Sequence, residues 1–392
     1  MNKGRRLIFL RDVLQLALTA FGGPHAHIAL FLEVLIEKRK YLTEEELLEL
    51  NALCQILPGP TSTQTITAIG FRLGGASLAY WTLLIWCIPA VCLMIILGLL
   101  MIYAEQYHIS LEFTKYIAPL AVAFVAAAGL KIGHKVIKDT EGVLLMLLSA
   151  GLSLLAASPY LFPLILLAAG AFTSWRHHRE QGEYERAPMQ IHWGNFVLWI
   201  GVLIVAALLG YFTQSTVIRL FENFYRNGSL IFGGGQVLIP LLYTEFVEFK
   251  HYLSSQEFLT GYTMVQAIPG PVFSFCAYIG TLSLKEGGII FAVVGGLTAA
   301  IGIFLPGTFL IFFVIRFWER LKHFAVVRAS LKGIVAASTG FVAAAAIQLG
   351  TPIEWSLPFI ATVLIGFALL MTNKVPAPII VVLALIFGIF LG

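Results

Sequence analysis

The sequence predicts an all-α polytopic membrane protein. It is built of two inverted-topology repeats with broken or re-entrant helices at a Phe-Gly-Gly-Pro and a Pro-Gly-Pro motif, joined by one extra transmembrane span; the sequence leaves open whether 21–37 and 44–72 span or re-enter. Three observations predict this. Of 392 residues, 59% are hydrophobic and only 12% charged, which is too apolar for a water-soluble domain. One stretch occurs twice: a shift of 211 carries Phe21, Gly22 and Gly23 onto Phe232, Gly233 and Gly234, and Tyr41 and Leu42 onto Tyr252 and Leu253. The same shift carries Gln55, Pro58, Gly59 and Pro60 onto Gln266, Pro269, Gly270 and Pro271 without a gap, so one unit was duplicated. Finally, equivalent loops of the two copies carry opposite charge bias.

Along the chain, Arg5 and Arg6 precede an apolar run that Arg11, Asp12 and Gln15 interrupt. This reads as a retained amphipathic helix rather than a signal peptide. Spans need about 20 apolar residues, and the candidates are 76–103, 116–130, 143–157, 160–174, 193–212, 287–315, 333–349, 357–372 and 376–391. Val125-Ala126-Ala127-Ala128 recurs as Val342-Ala343-Ala344-Ala345 at a shift of 217, so six residues were inserted between the motif and this helix. These small-residue helices are expected inside the bundle.

Residues 316–332 hold Arg316, Arg320, Lys322, Arg328 and Lys332, whereas the equivalent 99–115 hold only Lys115. In the next loop the bias reverses: 131–141 carry Lys131, Lys135 and Lys138, and 348–358 carry no Lys or Arg. Basic loops prefer the cytoplasm, so the halves face opposite ways. The expected division is 1–190 for the first repeat and a cytoplasmic linker bearing Arg176, Arg179 and Arg186, 191–213 for one connecting span, and 214–392 for the inverted repeat. The chain is then multi-pass in the plasma membrane, with its N-terminus cytoplasmic and its C-terminus external.

Within each copy, Thr43 to Glu46 and Ser254 to Glu257 fit the S/T-x-x-E capping box and start a short helix. The helix is expected to run to Pro58 or Pro269, with Gly59 or Gly270 turning the chain and Pro60 or Pro271 starting a new helix. Gly22, Gly23 and Pro24 open a helix through about Ile36, and Gly233, Gly234, Gly235 and Gln236 open its counterpart, expected to kink at Pro240. Helix N-termini offer unpaired N–H groups and partial positive charge. Four of them near the midplane would suit an anion.

After Pro60 come Thr61, Ser62, Thr63, Gln64 and Thr65, donors without formal charge, whereas the second copy keeps only Ser274 opposite Thr63. A run so polar must face protein or a watery cavity, although such hydroxyls also bond back to carbonyls of their own helix. Gln55 and Gln266 are paired polar candidates, and either could cap carbonyls of its broken helix. His25, His27, Glu33 and Arg72 are candidates for coupling protons or neutralising substrate. The alternatives are packing histidines for His25 and His27 and a helix end for Arg72. Glu37, Lys38, Arg39 and Lys40 read as a solvated helix end.

Interrupted segments at corresponding points of two halves point to a transport site. The net charge of +4 lies in short loops, so no nucleic-acid partner is indicated. Cys54, Cys87, Cys92 and Cys276 lack metal or disulfide spacing, and no cofactor motif, P-loop or hydrolase signature occurs. An anion channel is the alternative to a transporter, and a membrane-embedded enzyme is a weaker one.

Phe21-Gly22-Gly23-Pro24, Leu53 through Gln64, Phe232 through Gln236 and Gln266 through Pro271 resemble the signatures of the chromate ion transporter family, in its long, two-domain form. The resemblance implies membrane transport of chromate, commonly as efflux giving resistance, with sulfate as the related oxyanion; a transporter of another anion is the alternative. It implies a lipid bilayer and an oxyanion as partners, with a second copy of the chain as a further candidate.

Overall fold

The computed structural model describes residues 3–156, 158–177, 193–232, 235, 237–318 and 324–391. Every regular element among them is helical. Of the sequence candidates, Gly233, Gly234 and Gln236, with the loop residues Arg179, Arg186, Arg320 and Lys322, lie outside the described residues, as does the side chain of His25.

The first half opens with α1 (Lys3–Thr19) and α2 (Gly23–Phe31), the latter continued by a π-helical segment Leu32–Lys38. Between them Gly22 and Gly23 take φ of 93° and 76°, left-handed conformations that only glycine adopts freely. The chain folds back there. Phe9 of α1 meets Tyr41 edge-on, and buried Asp12 accepts from Arg39 at 2.7 Å and from Tyr41 at 2.7 Å. The end of α2 therefore returns along α1. Arg39 is thus an anchor for a buried carboxylate, not simply part of a solvated helix end.

A second hairpin follows. The Thr43 capping box starts α3 (Glu44–Ile56), and Pro60 caps α4 (Thr61–Gln106). Non-helical Gly74 and Gly75 divide α4 into 61–73 and 76–106. Glu46, in the first turn of α3, is ion-paired at 2.9 Å to Arg72, in the last turn of 61–73, so both ends of this hairpin lie together. Each arm is 13 residues, about 20 Å, too short for a hydrocarbon core of roughly 30 Å. The stretch 44–73 accordingly re-enters from one face, with Pro58-Gly59-Pro60 at its buried tip. After Gly75 the chain reverses again, and the Trp86 indole donates back to Thr63 Oγ1 at 3.1 Å.

The 76–106 segment crosses to the opposite face and is followed by α5 (Ile117–Val136), α6 (Thr140–Leu155), α7 (Leu161–Arg176) and the connecting α8 (Gly194–Thr213). The second half repeats the plan with α9 (Thr216–Leu230), α10 (Leu238–Tyr243) with its π segment Thr244–Phe249, and α11 (Ser255–Val265). It continues with α12 (Phe275–Ser283), α13 (Ile289–Val314), α14 (Ala325–Gly350), α15 (Leu357–Thr372) and α16 (Ala377–Leu391). Even the left-handed residues Lys40 and His251 correspond, at φ 51° and 53°.

The inversion is visible in which ends meet. Lys285, after α12, bridges Glu257 at the start of α11 (3.0 Å) and Glu105 at the end of 76–106 (2.8 Å). The base of the second hairpin thus lies on the face that the first half crosses to. Conversely, Phe312 near the end of α13 stacks on Phe71 and meets Tyr80 edge-on at the base of the first hairpin.

Three expectations need adjusting. α3 and α11 stop at Ile56 and Val265 rather than at the prolines. Pro60 and Pro271 sit one residue before their helices, and Pro271 leads first into a 3-10 turn, Val272–Ser274. Pro240 lies in the first turn of α10, where its missing N–H has no helical partner to lose, so no kink arises from it.

Candidate functional site

Each hairpin tip of one repeat docks on a tip of the other. The Gly59 N–H donates to Ile231 O at 2.8 Å, and the Gly270 N–H donates to Ala20 O at 2.8 Å. Gly59 and Gly270 correspond, as do Ala20 and Ile231, so the two bonds are one contact seen twice about a pseudo-two-fold axis. Gly59 and Gly270 hold φ of 118° and 102°, and a Cβ on Gly59 would lie 3.6 Å from Gly307 Cα, while one on Gly270 would lie 3.0 Å from Ala90 Cβ. Pro89-Ala90 and Pro306-Gly307 are the matching points of the two long helices, where a proline removes one helical N–H.

Four broken-helix N-termini therefore gather in one place: those of α2, of 61–73, of α10, and of the turn leading into α12. Gly235 stands against Phe273 and Val272, joining the two tips of the second repeat. In the first repeat, His27 Nδ1 lies 3.0 Å from Ser62 Oγ, and Trp86 packs edge-on against both His27 and Phe31. Because Trp86 also donates to Thr63, the first turn of 61–73 is tied to α2 and to the long helix together.

The polar run divides into two kinds of residue. Thr65 and Thr67 bond back to Thr61 O and Thr63 O, the structural role open to any helical threonine. Ser62, Thr63 and Gln64 are buried and turn instead to partners outside their helix. Gln64 Nε2 donates to Pro58 O at 2.6 Å, satisfying a carbonyl that the broken helix leaves free. Gln64 Oε1, His27 Nε2, Ser274 Oγ and Gln266 Nε2 are buried polar atoms with no hydrogen-bond partner. Unpaired buried polar groups are rare in folded proteins and point to water or ligand.

The other candidates lie differently. Gln55 is exposed in the last turn of α3, and Gln266 is the C-cap of α11. Gly22 is exposed, Gly23 and Pro24 are partly so, and Thr61 is half-buried. Pro58, Pro60, Gly235 and Pro271 are buried, and Pro269 is half-buried. Glu33 pairs with Lys38 at 2.5 Å and Arg72 with Glu46, both at solvated helix ends away from the tips. Only His27 of these three is part of the cluster.

Sequence reading missed Trp86 and the Ala90 and Gly307 pair. An indole N–H inside a span needs an acceptor, which was a usable signal for Trp86. The prolines repeated at a shift of 217 would have singled out Ala90 and Gly307. Chemically the cluster is rich in N–H and hydroxyl donors, holds no formal charge among its described side chains, and has the Ser62 hydroxyl beside the His27 imidazole. Such a site suits an anion held by helix ends. No group of three metal-ligating side chains occurs among the described residues.

The sequence profile of a family described as chromate transporter matches residues 7–175 and 218–389. An uncharacterised transporter of Methanocaldococcus jannaschii is 25% identical over 390 residues, covering 99% of this chain and 94% of the relative. A probable chromate transport protein of Synechococcus elongatus is 25% identical over 96% of this chain and 93% of its own length. A chromate transport protein of Pseudomonas aeruginosa is 25% identical over 86% of this chain and 79% of its own. No solved structure matches the chain.

Proposed function

The chain belongs to the chromate transporter family, and on that premise we propose that it is a secondary transporter that carries chromate out of the cell, with sulfate as a competing oxyanion. The observation that supports this most is the reciprocal pair of bonds, Gly59 to Ile231 and Gly270 to Ala20. It gathers four helix N-termini at the crossing of two inverted halves, the arrangement in which transporters hold anions between alternating states. Chromate and sulfate are tetrahedral dianions, so the same N–H and hydroxyl donors suit both. Ser62, Thr63 and Gln64 are buried, so an ion reaches them only when the tips move. That favours a carrier over an open pore.

In this reading the first repeat (1–190 with its linker) supplies the side-chain ligands, 191–213 connects, and the second repeat (214–392) supplies mainly backbone. His27 is the candidate coupling residue within reach of the site. Arg5, Arg6, Lys38, Arg39, Lys40, Arg72 and Lys131 lie toward the face where the first hairpins open, which we take as cytoplasmic. The C-terminus is then external, in the plasma membrane.

The test is uptake of labelled chromate into proteoliposomes under imposed proton and counter-anion gradients. Saturable flux competed by sulfate and dependent on a gradient is the expected result. Flux that never saturates and ignores the gradients would identify a channel, and no chromate flux under any gradient would remove the substrate assignment.

A further inference from the structure

A groove of about 490 Å³ runs along α5, with no hairpin-tip residue in its lining. Its wall is the α5 stripe from Val125 through Gly129 and Gly133 to Ile137, closed by Met146 of α6 and by Ala343 and Ala346 of α14. α5 and α14 approach closely here, since a Cβ on Gly129 would meet Val342 at 3.4 Å. Alanine and glycine leave the space that larger side chains would fill. The stripe covers about 18 Å of helix, close to the depth of one leaflet, roughly 15 Å.

One end of the groove is basic. His134 lines it, and Lys138, one turn on, donates to His134 O while remaining exposed. Lys332 of α14 reaches the same end, where it pairs with Asp139, the N-cap of α6. Lys135 is exposed but lies one turn beyond Lys131, on the side of α5 turned away from the groove. Lys131 is engaged elsewhere, at Leu370 O and Asn373 Oδ1. Among the described residues the carboxylate facing Lys138 and Lys332 is that of Asp139, with Glu141 paired to Arg176, so the described mouth has an excess of cation.

We propose that this groove holds an anionic glycerophospholipid of the leaflet on the N-terminal face, with one acyl chain along the α5 stripe and its phosphodiester at Lys138. An apolar slot one leaflet deep takes an acyl chain, and basic pockets between spans at the cytoplasmic surface take anionic headgroups. The site is independent of the transported ion. Its occupant bridges α5, α6 and α14, which belong to different halves, so it contacts both repeats where they pack outside the hairpin crossing.

The test is native mass spectrometry of the full-length protein, delipidated and then mixed with phosphatidylglycerol or phosphatidylcholine. The wild type should retain phosphatidylglycerol preferentially, and Lys138→Gln should reduce that preference by about fivefold. Ala343→Phe should fill the groove and abolish retention of the tightly held lipid. Since Ala343→Phe can also disturb packing, Lys138→Gln, at an exposed position, provides the independent arm. Equal retention of the two lipids by the wild type, or a preference unchanged in the lysine variant, would overturn the proposal.

Discussion

Gly307→Ala isolates the packing at the hairpin crossing. Gly307 follows Pro306 in α13, and a Cβ there would come within 2.6 Å of Gln64 Nε2. On the other side of the same nitrogen, a Cβ on Gly59 would come within 2.8 Å. The Gln64 amide is therefore threaded between two glycines of different repeats, and it is pinned there by its 2.6 Å bond to Pro58 O. Alanine in a helix is normally favoured over glycine by about 1 kcal/mol. Here it displaces the amide and strands a buried carbonyl, at a cost of about 1–3 kcal/mol. The net expectation is a destabilisation between zero and about 2 kcal/mol. In a Gln64→Ala background the obstacle is gone, so the same change becomes neutral or stabilising, and the double-mutant cycle should show a coupling of about 1–3 kcal/mol. Ala90, the matching position of the first repeat, faces Gly270 with no amide between them, so Ala90→Gly should cost only the helical preference of about 1 kcal/mol. Denaturation of the purified variants in detergent measures all of these. If Gly307→Ala has the same effect with and without Gln64, the threaded amide is not what requires the glycine.

Four further outcomes are expected. Thr63→Val removes the acceptor of the Trp86 indole and should weaken chromate binding about fivefold, corresponding to one hydrogen bond of about 1 kcal/mol, whereas Ser274→Ala should change it little; equal losses in a competition assay would refute the asymmetry between repeats. Cysteines at Arg72→Cys and Lys285→Cys should react with an impermeant reagent from opposite faces, and labelling from one face would contradict the inverted arrangement. Gly59→Leu and Gly270→Leu, at φ of 118° and 102°, should each abolish transport while the protein still inserts, and normal flux in both would remove the broken-helix site. Asp139 is held below the usual carboxylate range by Lys332 and then by the Gly142 N–H; its stabilising effect is present above the unfolded value and lost as pH falls through the folded one, so Asp139→Asn should flatten the acid limb of stability against pH.

Much of this architecture was legible because the duplication is gap-free through the motifs. Glycine and proline positions at a shift of 211 identified both tips, and the capping boxes at Thr43 and Ser254 identified both helix starts. The hairpin character of 44–73 was not legible, because it depends on Glu46 finding Arg72 across a fold that no local pattern encodes. The same holds for the crossing itself. Gly59 meets Gly307 and Gly270 meets Ala90 between repeats, in a register that mixes the shift of 211 with the shift of 217. The polar cluster was legible as a group of donors, but not in its division, since Thr67 lies one turn on from Thr63 on the same helix face, and it is tertiary contact with His27 and Trp86 that engages Ser62 and Thr63.

The buried carboxylates show why alignment of the two halves misses some matching functions. In the first repeat the clamp at the hairpin base is Asp12 on α1, held by Arg39 and Tyr41. In the second it is Glu245 on the segment after α10, fully buried and held by Arg226 at 2.7 Å, Asn227 at 2.8 Å and Lys250 at 3.0 Å, with Glu222 balancing the second cation by pairing with Arg226 at 3.0 Å. Lys250 corresponds to Arg39, but Asp12 falls on Asn223 and Glu245 falls on Val34. The negative charge has changed helices while the cation after the second helix has stayed. A buried carboxylate needs an opposite charge and hydrogen bonds, wherever they come from. What the duplicated chain preserved at each hairpin base is therefore a charge-neutral anchor rather than a residue.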